Sequence, residues 1–195
     1  NMFFENDCIY HVYNRSNEKL FYSRENYLFF LKKIRFQVLP YADMIAYCLM
    51  PNHFHLMLRA NESGVETYDS STKINVQKLS QGLGSLISSY TQALNIQRNR
   101  RGGLFAHRTK AKLLNGVKDD YLLNCFLYIH QNPIEAAIVD KLEDWEFSSY
   151  LDYIGRRKGT LVDVNQGLEL LNISAADIKY IIDFKIPDIS DENFM

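Results

Sequence analysis

The sequence predicts an α+β domain built on a ferredoxin-like antiparallel sheet, with a further helix and a small helical C-terminal tail. Short runs rich in β-branched and aromatic residues alternate between two faces, as half-buried strands do. Longer segments between them repeat apolar residues at helical spacing. The elements follow in the order strand, helix, strand, strand, helix, strand, which specifies this sheet. An apolar content of 47% over 195 residues is enough for one full core.

The first half of the chain carries three predicted strands and one helix. Residues 8–15 form the first strand. Its alternation places on one face Ile9, His11, Tyr13 and Arg15. Ser23 is the predicted N-cap of a helix that ends before Pro40. Residues 44–50 and 53–58 then form an antiparallel hairpin across a Pro-Asn turn.

The second half begins with a long helix over residues 76–96. Gly82 and Gly84 weaken this helix and indicate close packing against a neighbour. Residues 105–114 form the next predicted strand. Its alternation places three cations on one face, namely Arg108, Lys110 and Lys112.

A third helix follows the last strand. Asp119 and Asp120 favour its positive N-terminal end. We expect it to end at about Asn132, because Pro133 disfavours helical geometry in the residue before it.

We expect residues 1–155 to form the main domain and residues 156–195 a helical extension packed on or beside it. No run of 18 apolar residues and no leader segment is visible, which predicts that the chain does not span a membrane. Its three cysteines, Cys8, Cys48 and Cys125, are widely spaced among apolar residues. This pattern favours reduced thiols in a cytoplasmic protein.

The basic residues are concentrated in one window. No Asp or Glu occurs from residue 70 to residue 118. The nine cations there are Lys73, Lys78, Arg98, Arg100, Arg101, Arg108, Lys110, Lys112 and Lys118. The rest of the chain has 13 basic and 23 acidic residues, a net charge of −10. Such a patch attracts phosphate backbones, although a solvated basic loop would have the same composition.

A His-x-His pair opens the third strand. Alternation places His53 and His55 on one sheet face, and an apolar trio on the other face: Phe54, Leu56 and Leu58. The two Cα atoms are roughly 6.6 Å apart, so both imidazoles can lean toward one metal ion. The alternative is two half-exposed histidines. We expect the first two helices to pack on the apolar face of the sheet, which would leave the histidine face free. His11 on the first strand either reaches this site or is a hydrogen-bonded sheet residue.

The third helix carries Tyr128 one turn before Asn132, so both lie on the same helix face. Two imidazoles and an amide oxygen could hold manganese or magnesium, or zinc by affinity, with positions left open. Such an ion neutralises a phosphodiester, and tyrosine can then act as a covalent nucleophile. The alternative is that Tyr128 packs within a helix interface.

Several motifs occur in one order: Tyr10-His11-Val12-Tyr13-Asn14-Arg15, Tyr47-Cys48-Leu49-Met50-Pro51-Asn52-His53-Phe54-His55, Phe105-Ala106-His107-Arg108-Thr109-Lys110-Ala111-Lys112, Tyr128-Ile129-His130-Gln131-Asn132-Pro133 and Trp145-Glu146-Phe147-Ser148-Ser149-Tyr150. Together they resemble the single-tyrosine HUH transposase family of bacterial insertion sequences. Within that family, the chain is most similar to the REP-associated tyrosine transposases. The resemblance spans roughly residues 8–155.

The resemblance implies a metal-dependent endonuclease and strand transferase acting on single-stranded DNA with hairpin ends. His53 and His55 would bind Mg²⁺ or Mn²⁺, and the helix would carry Tyr128 as the nucleophile that forms a 5′-phosphotyrosine bond. Asn132 would complete the metal site, with Gln131 as the alternative. The DNA backbone would be held by Arg98, Arg100, Arg101, Arg108, Lys110 and Lys112. Monomers and homodimers both occur in the family, and both stay open here.

Two other functions stay open on the residues alone. One is a domesticated hairpin-DNA-binding protein that has kept the fold without cleavage. The other is a metal phosphodiesterase that uses water, in which Tyr128 is structural. Formation of a covalent protein–DNA adduct separates the transposase from both.

Overall fold

A four-stranded antiparallel sheet forms the centre of the protein. The computed structural model describes residues 2–67, 75–116 and 120–184. The strands are β1 (Ile9–Arg15), β2 (Ala42–Met50), β3 (His53–Ala60) and β4 (Lys110–Leu113). They lie in the spatial order β2-β3-β1-β4. The predicted hairpin is therefore confirmed, and the first and last strands pair across a long sequence separation.

The helices complete the predicted order of elements. They are α1 (Arg24–Gln37), α2 (Glu62–Val65), α3 (Lys78–Gln97), α4 (Tyr121–Glu135), α5 (Tyr150–Tyr153), α6 (Val164–Leu171) and α7 (Ile178–Phe184), with a 3₁₀ turn at Leu142–Asp144. The α+β class with its ferredoxin-like sheet is confirmed, because the elements up to β4, other than the one-turn helix α2, follow in the order β1, α1, β2, β3, α3 and β4.

Helices α1 and α3 cover one face of the sheet. The apolar residues of β3 that were predicted for the core, Phe54, Leu56 and Leu58, are buried in the same cluster as Phe30 and Leu83. Gly82 permits the close approach of the two helices, since a Cβ there would lie 2.0 Å from the carbonyl oxygen of Gln37. The packing role predicted for Gly84 is wrong, because a Cβ at that position would meet open space.

The other face of the sheet is also covered, contrary to the expectation that it would be free. Helix α4 packs across it, and Ile129 of α4 is buried in one cluster with Ile9, Ile45 and Met57 of the strands. These apolar strand side chains lie on the same face of the sheet as the histidines, and leaving them in water would be unfavourable. The histidine face is therefore an interface between sheet and helix with a polar pocket at one end.

Two local predictions are wrong. The strand predicted over residues 105–114 is limited to Lys110–Leu113. The segment before it is irregular and is held to β1 by the side chain of Asn14, which donates to the carbonyl oxygen of His107 and to the hydroxyl of Thr109. Arg108 therefore precedes the strand and does not share its alternation.

Helix α4 also continues through Pro133 to Glu135. A proline inside a helix removes its own N–H from the ladder and crowds the carbonyl of residue i−4. The backbone beyond it still bonds to the last turn, since the N–H of Ala136 donates to the carbonyl oxygen of Asn132. Burial of both Asn132 and Pro133 keeps this turn helical.

The C-terminal helices α6 and α7 pack on the same side as α4. Ile178 and Ile182 of α7 are buried in the cluster beneath α4. Residues 185–195 of the predicted extension lie outside the described residues, as do Lys73, Lys118 and Asp119. The division at residue 155 stays a prediction. Cys48 and Cys125 are buried free thiols, and Cys8 is half-buried. Within the described ranges, no helix is long and apolar enough to cross a membrane.

Candidate functional site

A pocket of about 440 Å³ opens where the end of α4 meets the sheet. Its walls come from β1, β3, the segment before β4 and the last two turns of α4. The side chains with reactive or ligating groups include Tyr13, Arg15, His53, His55, Tyr128 and Asn132. Period-two alternation on the strands and helical spacing on α4 thus direct residues from distant parts of the chain into one site.

Each ring nitrogen of His53 lies within hydrogen-bond distance of an amide oxygen. Its Nδ1 is 2.7 Å from Oδ1 of Asn52, and its Nε2 is 3.1 Å from Oδ1 of Asn132. The pKa of His53 is lowered to about 4, mainly by burial and in smaller part by the charge of Arg15, whereas the hydrogen bond with Asn132 opposes the shift. The imidazole is therefore neutral at pH 7 and carries one N–H and one lone pair.

His55 lies deeper, only 2% exposed, beside a second buried histidine. Its Nδ1 is 2.9 Å from Nε2 of His11. Burial holds the pKa of His55 well below its ordinary value, and the neighbouring His11 and His53 add to the effect. Its Nε2 is buried and has no hydrogen-bond partner among the described residues. His55 lines the pocket, and Nε2 is the ring nitrogen that does not face His11, which makes it the candidate ligand atom.

Tyr128 faces the histidines from α4. Its ring stands edge-on to His55, with centroids 5.3 Å apart, and to His11, with centroids 6.3 Å apart. Burial raises the pKa of Tyr128, and a hydrogen bond with Asn132 acts in the opposite direction. The phenol is therefore protonated at neutral pH and sits in contact with the candidate ligands.

Asn132 and Gln131 point to different surroundings. Asn132 is buried with its Oδ1 toward His53. The side-chain amide of Gln131 donates instead to the carbonyl oxygen of Ile182 in α7. The structure therefore brings together His53, His55, Tyr128 and Asn132, and places Gln131 at the contact between α4 and α7. The roles of all five stay predictions.

The donor set fits a divalent cation. Neutral His53 donates from one nitrogen, either from Nδ1 to Oδ1 of Asn52 or from Nε2 to Oδ1 of Asn132, and when Nδ1 donates, Nε2 presents a lone pair beside the Asn132 oxygen. Adjacent ligands on bonds of about 2.1 Å at right angles are about 3 Å apart, close to this separation. No group of three His, Cys, Asp or Glu residues within the described parts of the chain could hold a metal, so a third protein donor beside His53 and His55 would be a different group, such as the amide oxygen of Asn132.

The six cations predicted to bind DNA separate into two groups. Arg108 and Lys110 line the pocket, and the Lys110 ammonium is 5.6 Å from the centroid of the Tyr13 ring. Lys112 follows on β4, with its ammonium 4.9 Å from the Tyr121 ring centroid. The other group, Arg98, Arg100 and Arg101, follows α3.

Two of the cations that follow α3 contact residues from the first half of the chain. The Arg98 guanidinium lies 4.3 Å from the centroid of the Tyr22 ring. Arg100 forms an ion pair of 2.5 Å with Glu18. Arg101 is exposed. None of these three lines the pocket.

The pocket is also lined by residues to which the sequence interpretation assigned no role, among them Arg15, His107 and Glu135. Arg15 could have been found, because it shares the face of His11 on β1 and pairs in register with His53. His107 could not, because its position depends on the long-range bond from Asn14.

Comparison with known proteins supports the resemblance seen in the motifs. No protein-family model matches the chain. A curated protein of Haemophilus influenzae named as a REP-associated tyrosine transposase is 26% identical over 110 residues. The chain is therefore similar in sequence to a REP-associated tyrosine transposase. The matched segment covers 55% of this chain and 58% of that protein, so the chain spans less than two thirds of that relative's length.

A solved structure described as a REP-associated tyrosine transposase bound to a REP hairpin has the same fold. It superimposes with a TM-score of 0.58 and covers 84% of this chain and 92% of the other. Sequence identity is 14%, so this comparison establishes the fold that the two proteins share. The predicted resemblance to REP-associated tyrosine transposases is therefore confirmed by sequence and by fold.

Proposed function

We propose that this protein is a metal-dependent transposase and endonuclease that cleaves and rejoins hairpin-containing single-stranded DNA through a phosphotyrosine at Tyr128. One observation carries the proposal: Tyr128 lies against His55 in a pocket that also contains His53 and Asn132. The solved structure with the same fold is described as bound to a REP hairpin, which supports the choice of substrate. The relative's name supports transposase chemistry.

The chemical step is an exchange of ester bonds at phosphorus. The phenol oxygen of Tyr128 attacks, a Tyr–O–P bond forms, and the bond from phosphorus to the 3′ oxygen breaks. The phenol loses its proton and the departing 3′ oxygen gains one, so the charge balances. The product retains the energy of a phosphoester, and a 3′-hydroxyl can reverse the step and rejoin the strand.

The chain's own residues prepare this exchange. Burial raises the pKa of Tyr128, so the phenol enters the reaction protonated and loses its proton during attack. Arg15, Arg108 and Lys110 line the same pocket and provide positive charge for the phosphate backbone. Asn132 positions His53 and contacts Tyr128, which couples the candidate ligands to the nucleophile.

Nε2 of His53, Nε2 of His55 and Oδ1 of Asn132 would hold Mg²⁺ or Mn²⁺. When bound, the ion supplies neutralisation of the phosphate and polarises it toward attack. We further expect the protein to act in the cytoplasm, where its three free cysteines stay reduced.

The test uses a labelled single-stranded hairpin taken from the DNA beside the protein's own gene, incubated with Mn²⁺ or Mg²⁺ and resolved on a denaturing gel. We expect a slow-migrating adduct that is absent in Tyr128→Phe and in His53→Ala. Tyr13→Phe is the matched control, because Tyr13 lines the same pocket and should leave the adduct intact. Cleavage without an adduct would indicate a water-using phosphodiesterase. A native-gel shift with neither cleavage nor adduct would indicate a binding protein.

A further inference from the structure

Two histidines from adjacent strands form a fully buried pair behind the candidate metal site. His11 on β1 is 0% exposed, and His55 on β3 is 2% exposed. Nε2 of His11 lies 2.9 Å from Nδ1 of His55, a hydrogen-bond distance. His11 does not line the pocket, whereas His55 does. The deeper ring therefore touches the candidate ligand and has no access to a metal ion or to DNA.

The bond between the rings restricts where the protons are. Both rings are buried, which opposes the charged form, so each carries a single N–H. If His11 donates, the proton of His55 is on Nε2, and that nitrogen cannot bind a metal. If His55 donates from Nδ1, its Nε2 presents a lone pair to the pocket. The same 2.9 Å contact thus permits one tautomer that can ligate and one that cannot.

Binding of a cation to His55 requires the second arrangement. Nε2 of His55 is buried without a hydrogen-bond partner among the described residues. A cation binds the lone pair of a neutral imidazole nitrogen, so Nε2 must carry no proton. The proton of His55 is then on Nδ1, where the lone pair of His11 Nε2 receives it.

We propose that His11 is a positioning residue whose Nε2 accepts a hydrogen bond from Nδ1–H of His55, fixing the His55 tautomer and ring orientation that can bind a divalent cation. The inference deepens the proposed function and rests on its metal site. Hydrogen-bonded partners behind a ligating histidine typically change metal affinity by about 10–100-fold when they are removed.

The experiment compares the whole protein with His11→Phe, which keeps a buried ring without an acceptor, and with His11→Gln, whose amide oxygen can still accept. Met57→Leu is the matched control, because Met57 is opposite His11 in the sheet register and is equally buried. Nitrogen-15 NMR of the metal-free protein reports the His55 tautomer. Calorimetric titration with Mn²⁺ alone reports affinity.

We expect the Nδ1–H tautomer at His55 in the parent protein. His11→Phe should bind Mn²⁺ about 10–100-fold more weakly, and His11→Gln should recover most of that loss. Met57→Leu should bind as the parent does. An Nε2–H tautomer at His55, or equal Mn²⁺ affinity in His11→Phe and the parent, would overturn the proposed role of His11 and leave the proposed metal site standing.

Failure of the metal site itself has a different signature. A parent protein that binds no Mn²⁺ would overturn the proposed metal site together with the inference. If His11→Phe does not fold, as judged by circular dichroism, two other measurements test the role of His11. They are the His55 tautomer seen by NMR and the Mn²⁺ affinity of His11→Gln compared with that of Met57→Leu.

Discussion

The ring of Tyr128 stands edge-on to the imidazole of His55, with centroids 5.3 Å apart and an interplanar angle of 82°. The two residues come from α4 and β3, so their contact exists only while α4 lies across the histidine face of the sheet. Covering that face with a helix, rather than leaving it open, is what converts a pair of sheet histidines into a site with a candidate nucleophile.

The first prediction concerns the helices on the opposite face. Gly82→Ala should destabilise the protein by at least about 2 kcal/mol, because its Cβ would overlap the carbonyl oxygen of Gln37 and force α1 and α3 apart. Gly84→Ala is the matched control. It meets open space and should stabilise α3 by up to about 1 kcal/mol. Urea unfolding measures both, and equal effects would contradict the packing described here.

A second prediction separates the two candidate amide ligands on α4. Asn132→Ala should weaken Mn²⁺ binding by at least about tenfold, because it removes the oxygen that faces His53. Gln131→Ala should leave Mn²⁺ affinity unchanged and lower the free energy of unfolding by about 1 kcal/mol, because it removes a hydrogen bond to the carbonyl oxygen of Ile182. Calorimetry and denaturation distinguish the two. The reverse pattern would make Gln131 the ligand.

A third prediction is that the two groups of cations contribute unequally to hairpin binding. The double variant Arg108→Ala, Lys110→Ala should weaken hairpin binding and reduce the slope of log affinity against log salt by about 0.7 for each lost contact to a single strand. Both side chains line the pocket. Fluorescence anisotropy over a range of salt concentrations measures the slope.

The matched control for that experiment is Arg98→Ala, Arg100→Ala. It removes the same charge from side chains that are engaged with Tyr22 and Glu18. We expect a smaller loss of affinity and a smaller change in slope. If this pair had the larger effect, the DNA path would run over the end of α3 and away from the pocket.

A fourth prediction concerns pH. Burial lowers the pKa of His130 to about 3. Its Nδ1 is hydrogen-bonded to the carbonyl oxygen of Phe126 and its Nε2 to the hydroxyl of Ser149. The folded state therefore binds the proton less readily than the unfolded state, whose pKa is near 6.5. The stability from neutral His130 is complete above pH 6.5 and is lost as the pH falls toward 3.

His130→Gln should accordingly make the free energy of unfolding less dependent on pH, by up to about 1.4 kcal/mol per pH unit between pH 6 and pH 4. Urea unfolding at several pH values measures this, and the value at pH 7.5 gives the variant's pH-independent cost. A variant that loses stability toward acid as steeply as the parent would show that His130 is not the group responsible.

Strand alternation was sufficient to predict much of the site. It placed His53 and His55 together on one face of the sheet, with the apolar core residues on the other face. A shift of the strand register by one residue would move those apolar residues out of the core. Stacking at i and i+4 likewise placed Asn132 beneath Tyr128. These predictions succeeded because each depends on the geometry of a single element.

The remaining features depend on contacts between distant segments. Apolar spacing shows which side of α4 is buried, but it does not show which face of the sheet that side covers. Arg108 and His107 reach the pocket because Asn14 of β1 holds their segment. Helix α4 passes Pro133 because tertiary packing outweighs a local preference. No single-element pattern contains these effects.

The central claim is that Tyr128 forms the covalent bond to DNA. The most direct measurement is mass spectrometry of the protease- and nuclease-digested adduct formed with the labelled hairpin. We predict a phosphonucleotide remnant on the peptide that contains Tyr128. A remnant on Tyr13, the other tyrosine that lines the pocket, or strand cleavage with no modified tyrosine, would contradict the account.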